Sequence, residues 1–185
     1  LLDQLTGGKN RFDYDVYFRE VFEGNNGGFD VIIGNPPYIR QELLREYKPL
    51  FQKNFAEVYA GTADIYVYFY ARGIELLRVN GTLAFITSNK FMRAGYGKNL
   101  RVFLTSKTAL GTIIDFGDLP VFDATAYPSI VVAQKKIAAP QHKTMVLTVT
   151  SLSTLQRLPV VVQGLGWFVP QTALKVSGWA LVQPD

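Results

Sequence analysis

An apolar run, Phe29-Asp30-Val31-Ile32-Ile33-Gly34, breaks off at Asn35-Pro36-Pro37-Tyr38, and no other stretch limits the fold of this chain as much. A short, β-branched run closed by glycine reads as a buried strand. Two consecutive prolines cannot continue a sheet ladder, because they lack the N–H and fix φ. The strand therefore stops at Gly34, and the tetrapeptide lies just past its carboxyl end, where open α/β sheets place their ligands. With residue types near 5% each, four given letters fall together by chance in roughly one chain in a thousand of this size. The plain structural alternative is a rigid exit from the strand, with Tyr38 as a core aromatic.

The remaining pattern extends that strand into a sheet. Residues 63–78 place Ile65, Phe69, Ile74 and Leu77 at helical spacing, and Asn80-Gly81 reads as the stop of this helix. A second buried strand is predicted at 82–87, ending in Ser88-Asn89-Lys90, then a helix at 97–107 and a third strand at 112–116. A loop through Pro120 and Pro128 leads to a fourth strand at 129–134. Strand and helix in alternation predict a mostly parallel α/β sheet, with the last strand closing it antiparallel. Upstream, residues 12–22 read as a short helix with an aromatic face, and residues 24–28 as a loop. Residues 40–58 are polar and helix-friendly, interrupted at Pro49, and placed to cover the site. Beyond residue 138 helical periodicity is lost; 144–150 reads as a strand or an extended linker, and 151–185, with Trp167 and Trp179, as the beginning of another module.

Composition narrows the class. The 185 residues are 48% hydrophobic and 14% aromatic, which suits a packed core rather than disorder. No stretch approaches 18 uninterrupted apolar residues, so no membrane helix is expected, and no secretory signal pattern opens the chain. The absence of cysteine excludes disulfides and thiolate metal sites and points to the cytoplasm. His142 is the single histidine, expected at the surface, so no metal site is expected. The net charge of +4 and pI near 9.2 agree with a polyanionic partner without requiring one. The opening Leu1-Leu2-Asp3-Gln4-Leu5 reads as the middle or end of a helix, which marks the chain as a piece of something longer.

The tetrapeptide suits one chemistry well. An exocyclic amine conjugated to a purine or an amide has a delocalised lone pair and is a poor nucleophile. Methyl transfer to it requires movement towards tetrahedral geometry, and two fixed acceptors aimed at its N–H bonds favour that change as positive charge develops. Asn35 offers a side-chain carbonyl oxygen, and Pro36 only a main-chain one. Each precedes a proline and is pushed to extended backbone. Tyr38 supplies a flat face for a base taken out of its stack, worth about 1–3 kcal/mol.

At this point the chain resembles the adenine-specific amino-group DNA methyltransferases that use S-adenosylmethionine, in particular the methylase part of type IIG restriction–modification enzymes and related phage-exclusion methylases. The resemblance runs over about residues 11–136. Residues 29–40 (FDVIIGNPPYIR) look like the family's catalytic strand and turn, 64–69 (DIYVYF) its cofactor-lining segment, 81–90 (GTLAFITSNK) its next strand and 97–101 its following helix. Residues 115–122, with 127–130, resemble its target-base wall. The resemblance implies the second half of a Rossmann-like methyltransferase fold over 1–138, a linker over 139–160 and the start of a target-recognition module over 161–185.

The implied roles follow position by position. Asn35 and Pro36 would hold the adenine amino group, Tyr38 would stack on the flipped base, and Phe122 or Tyr127 would wall its other side. Pro37 and Arg40 would also meet substrate. Phe69 would lie against the cofactor, with Asp64 and Tyr66 near it, Phe69 also being readable as a plain core position. Lys90, Arg93, Lys98 and Arg101 would contact DNA phosphates, or form a solvated helix face. One departure stands out: the family's D-P-x-x-G-x-G cofactor turn has no counterpart ahead of the strand at 29–34. The main cofactor loop is thus expected before Leu1, the strand is expected to expose an edge open to self-association, and the isolated chain is expected to bind cofactor poorly and methylate nothing. The expected partner is double-stranded DNA with a flipped adenine. The alternatives are methylation of a protein glutamine amide, whose nitrogen poses the same lone-pair problem, and a catalytically silent DNA-binding fragment.

Overall fold

The computed structural model describes residues 12–122 and 127–183. Six strands form one mixed sheet: β1 (Phe29–Gly34), β2 (Leu77–Ser88), β3 (Ala109–Asp115), β4 (Pro128–Gln134), β5 (Lys143–Thr148) and β6 (Trp167–Pro170), in the spatial order β1-β2-β4-β3-β5-β6. β1 runs parallel to β2 and β3 parallel to β5, while β4 lies antiparallel between β2 and β3, and β6 antiparallel on β5. The expected closing antiparallel strand is thus β4, and β6 adds a second. The parallel pair β1 and β2 is joined by a helical crossover, whereas β3 reaches its parallel neighbour β5 through the antiparallel β4.

Among the described residues six α-helices accompany the sheet: α1 (Tyr14–Tyr17), α2 (Arg19–Phe22), α3 (Lys48–Asn54), α4 (Tyr66–Leu76), α5 (Lys98–Lys107) and α6 (Leu158–Leu165). The aromatic helix expected at 12–22 is two single turns interrupted at Phe18, with Tyr14, Phe18 and Phe22 packed edge-on against Phe29 of β1. In α4 one stripe buries Tyr66, Val67, Tyr70, Ala71 and Ile74 against the sheet. Gly73 permits this approach, since a Cβ there would stand 2.6 Å from the Leu83 side chain. Pro49 lies in the first turn of α3 instead of interrupting it, a position where its missing N–H costs nothing.

Three local readings are corrected. The helix expected to run through 78 ends at Leu76: residues 77–80 already belong to β2, with Leu77 paired to Phe29 of β1, the Asn80 N–H donating to the Lys135 carbonyl at 2.9 Å, and Lys135 Nζ donating to the Glu75 and Leu77 carbonyls at 2.9 and 2.6 Å. Residues 158–165, expected to be non-helical, form α6, which covers Ile114, Phe116, Leu147 and Val149 on one face of the sheet. His142, expected at the surface, is half-buried, its Nε2 lying 2.8 Å from the Leu110 carbonyl oxygen.

The segment expected to open another module packs instead into the main core. Trp179 is 1% exposed, its ring 5.5 Å from that of Phe91 and nearly perpendicular to it, and its main-chain N–H donates to the Met92 carbonyl at 2.8 Å. Leu174 and Leu181 join the same cluster. Arg101, expected among the phosphate contacts, is buried: its guanidinium donates to the carbonyls of Phe91, Ala94 and Val176 and ties the tail to the loop after β2. Burial without a carboxylate partner lowers its pKa. No helix among the described residues is long and apolar enough to cross a membrane.

Candidate active site

The carboxyl ends of β1 and β2 and the start of β4 meet at one end of the sheet. Asn35 emerges there exposed, while Pro36 is buried and Pro37 and Arg40 are exposed. Among the described residues, no main-chain hydrogen bond outside the helices and strands ends on the Pro36 carbonyl. The turn is tied down from behind. Asp64 Oδ1 accepts from the Gln41 N–H at 3.2 Å, and the Ile65 N–H donates to the Ile39 carbonyl at 3.2 Å. The residues that introduce α4 thus fix the exit of the Asn-Pro-Pro-Tyr turn.

Asp64 sits in a small titratable group. Burial pushes its carboxyl up, opposed by the Gln41 N–H and the positive charges of Lys90 and Arg40. Beside it the Tyr66 and Tyr96 hydroxyls are 2.7 Å apart. Burial raises the Tyr96 phenol to about 12 and that of Tyr66 further, so both stay protonated. Tyr66 is 2% exposed and serves the core, not a ligand surface. Phe69, by contrast, leaves the core at 39% exposure. Its open ring lies in the first turn of α4, just after the residues that hold the exit of the Asn-Pro-Pro-Tyr turn.

Tyr38 is 39% exposed, and partial burial raises its phenol. Its ring meets that of Phe122 at 6.1 Å and 60°, an edge-to-face contact. Tyr127 stands at the entry to β4, 37% exposed, with a left-handed φ of 46°. Lys90 Nζ lies 5.2 Å from its ring centroid. Lys90 therefore caps an aromatic ring here, and of the four cations expected on DNA phosphates, Arg93 and Lys98 remain exposed at the surface with it. The G-x-G triplet Gly95-Tyr96-Gly97 is a packing device: a Cβ on Gly97 would collide with the Phe91 carbonyl. A cavity of about 490 Å³ between α4 and α5, lined by Phe55, Val58, Ile74 and Phe103, lies at the opposite end of α4 and does not include the Asn35 turn.

A sheet with an antiparallel strand inserted beside two parallel ones, and a loop site at their carboxyl ends, defines a class. The fold is that of the S-adenosylmethionine-dependent methyltransferases. It superposes on a Listeria monocytogenes protein assigned to the class I enzymes of that kind, with a TM-score of 0.55, 17% identity, and coverage of 74% of this chain and 42% of that one. It also superposes on the type I restriction–modification methyltransferase subunit of Streptococcus thermophilus, with a TM-score of 0.60, 13% identity, and coverage of 80% and 36%.

The chain belongs to the Eco57I restriction-modification methylase family, which matches residues 2–122. It is 40% identical over 111 residues to the type II methyltransferase M.BstVI of Geobacillus stearothermophilus, an alignment covering 58% of this chain and 20% of that protein. The chain thus spans about a fifth of the length of that relative.

Proposed function

We propose that this chain carries the target-base half of a DNA methyltransferase active site, acting on the exocyclic amino group of adenine within a restriction–modification system. The observation that carries the reading is the Asn35-Pro36 pair, its side-chain and main-chain oxygens at the end of β1, beside a partly open Tyr38 ring. S-adenosylmethionine, when bound, supplies a methyl group on a cationic sulfur. Phe69 is the residue placed to lie against it, with Asp64 holding the turn rather than the ligand. Tyr66 is left out of this role because its ring is buried and its hydroxyl is engaged by Tyr96.

In this reading Asn35 Oδ1 and the Pro36 carbonyl accept the two N–H bonds of the amino group, turning its lone pair towards the incoming carbon. The new N–C bond would form at the expense of the carbon–sulfur bond of S-adenosylmethionine, whose sulfur would keep the electron pair. One N–H proton then leaves to solvent, so no general base is required. Positive charge develops on the nitrogen, and fixed acceptors stabilise it most at the transition state. Tyr38 stacks on the extrahelical base. Arg40 and Lys98 are exposed and able to meet phosphates, a salt-sensitive contribution, as is Arg93, although it lies 3.9 Å from Asp115 Oδ2.

The test is incubation of the full-length protein with radiolabelled S-adenosylmethionine and unmethylated plasmid DNA, followed by nucleoside analysis. The expected product is N6-methyladenine, and Asn35→Ala is expected to lower kcat about 10²- to 10³-fold, the usual cost of one lost transition-state partner. Label in a protein glutamine, or none in DNA, defeats the reading. The 185-residue chain alone is expected to bind S-adenosylmethionine weakly; tight binding by calorimetry would contradict this.

A further inference from the structure

The cavity between α4 and α5 takes no part in the chemistry above, and its walls are of two kinds. It encloses about 490 Å³, within the range of small-molecule sites. Phe55, Val58, Ile74 and Phe103 give it an apolar floor, and the last three are buried. Five charged side chains also line it: Lys53, Glu57, Glu75, Lys107 and Lys135. An apolar floor under a charged rim fits an amphipathic guest. The pairing of the rim charges decides the sign of that guest.

Both carboxylates of the rim are already engaged. Lys107 Nζ lies 3.0 Å from Glu57 Oε1, and Arg72 Nη1 lies 2.8 Å from Glu75 Oε2. Lys53 and Lys135 form no ion pair among the described residues. Lys53 stands exposed in the last turn of α3. Lys135 is half-buried and donates to the Glu75 and Leu77 carbonyls at 2.9 and 2.6 Å. An ammonium has three N–H bonds, so one remains for a guest. Lys135 also offsets the partial negative charge at the carboxyl end of α4, which would otherwise repel an anion. Burial lowers its pKa, opposed by the charge of Glu75, and a bound anion would favour the ammonium further. Two cations thus remain at the rim once the pairs are formed, and an anionic head group matches them.

We propose that this cavity binds a small amphipathic carboxylate, its apolar body resting on Phe55, Ile74 and Phe103 and its carboxylate meeting Lys53 and Lys135. The site is separate from the Asn35 turn and does not rest on the methylase reading. Glu57 limits the affinity, because it holds Lys107 in a pair that the guest would otherwise share.

The test is titration of the full-length protein with octanoate and, separately, with 1-octanol, at neutral pH and low salt. Octanoate is expected to bind about tenfold more tightly than the alcohol, the margin of a charge-assisted hydrogen bond. Lys53→Met is expected to reduce that preference about threefold and Lys53→Arg to restore it, as for a solvent-exposed ion pair. Glu57→Gln releases Lys107 and is expected to tighten octanoate binding about threefold while octanol stays unchanged. Both side chains are exposed, so these variants keep the fold. Ile74→Trp fills the floor and is expected to abolish binding of both compounds, with thermal unfolding to check that it folds; where it does not, the Lys53 and Glu57 variants decide. No binding of octanoate, equal affinities for acid and alcohol, or weaker octanoate binding by Glu57→Gln would each overturn the proposal. Unchanged binding by a folded Ile74→Trp protein would place the guest elsewhere and overturn it as well.

Discussion

The two edges of the sheet obey different rules. β6 closes one edge with four residues, ends at Pro170, and turns Trp167 and Val169 inward onto the core. That is how natural sheets blunt an edge: short, proline-ended and anchored. β1 closes the other edge with six residues, yet Val31 is 54% and Ile33 79% exposed. Parallel strands are normally covered on both faces, and no described residue covers this flank. The strand that bears the Asn35 turn has no fully buried residue, while Trp179, Gln171 and Arg101 are buried elsewhere in the fold. Sites that must admit a large ligand are drawn from the weakly packed end of a fold, and stability is supplied elsewhere.

Three substitutions sharpen this contrast. The largest effect is expected at Trp179, which fills the space beside Phe91 and Met92: Trp179→Ala should destabilise the protein by about 3–5 kcal/mol. Denaturant unfolding measures it, and a cost under about 1 kcal/mol would mean that the tail is a dispensable appendage. Next comes Gln171, 5% exposed, whose amide serves the Leu110 N–H at 2.8 Å and the Thr105 and Thr108 carbonyls at 3.0 and 2.8 Å. Gln171→Leu keeps the bulk and strands all three partners, an expected loss of about 1–3 kcal/mol. A neutral result would show that water replaces the amide.

How much of this was legible in the sequence depends on the range of the interaction. β1, β2, β3 and β4 follow from short apolar runs bounded by turns, a local signal. The boundary at Leu76 was not legible, because Asn80-Gly81 looks like a helix stop and only contacts with Phe29 of β1 and with Gln134 and Lys135 hold residues 77–80 extended. Nor was α6, whose three consecutive valines disfavour a helix until Val161 and Val162 pack on the cluster of Leu147 and Phe116. The site divides the same way. Asn35, Pro36 and Tyr38 stand out as a tetrapeptide, but the hydrogen bond from the Asn89 N–H to the Tyr127 carbonyl joins residues 38 positions apart and leaves no pattern in sequence. Arg101 misled for a related reason: its cluster with Lys90, Arg93 and Lys98 is basic on paper, while its carbonyl partners lie in a loop and a tail that only the fold brings near.

The smallest expected effect tests the open edge. Ile33→Lys replaces a side chain that is 79% exposed, so unfolding of the 185-residue chain should shift by no more than about 0.5 kcal/mol. Its association should change more than its stability. A lysine on an edge strand opposes pairing with another chain, and sedimentation at rising concentration is expected to show less self-association than wild type. A loss of about 2 kcal/mol or more would mean that part of this chain covers the flank, and the two edges would then no longer differ. Unchanged association with unchanged stability would place any contact between copies away from β1, and the exposed isoleucine would then be a surface feature without consequence for assembly.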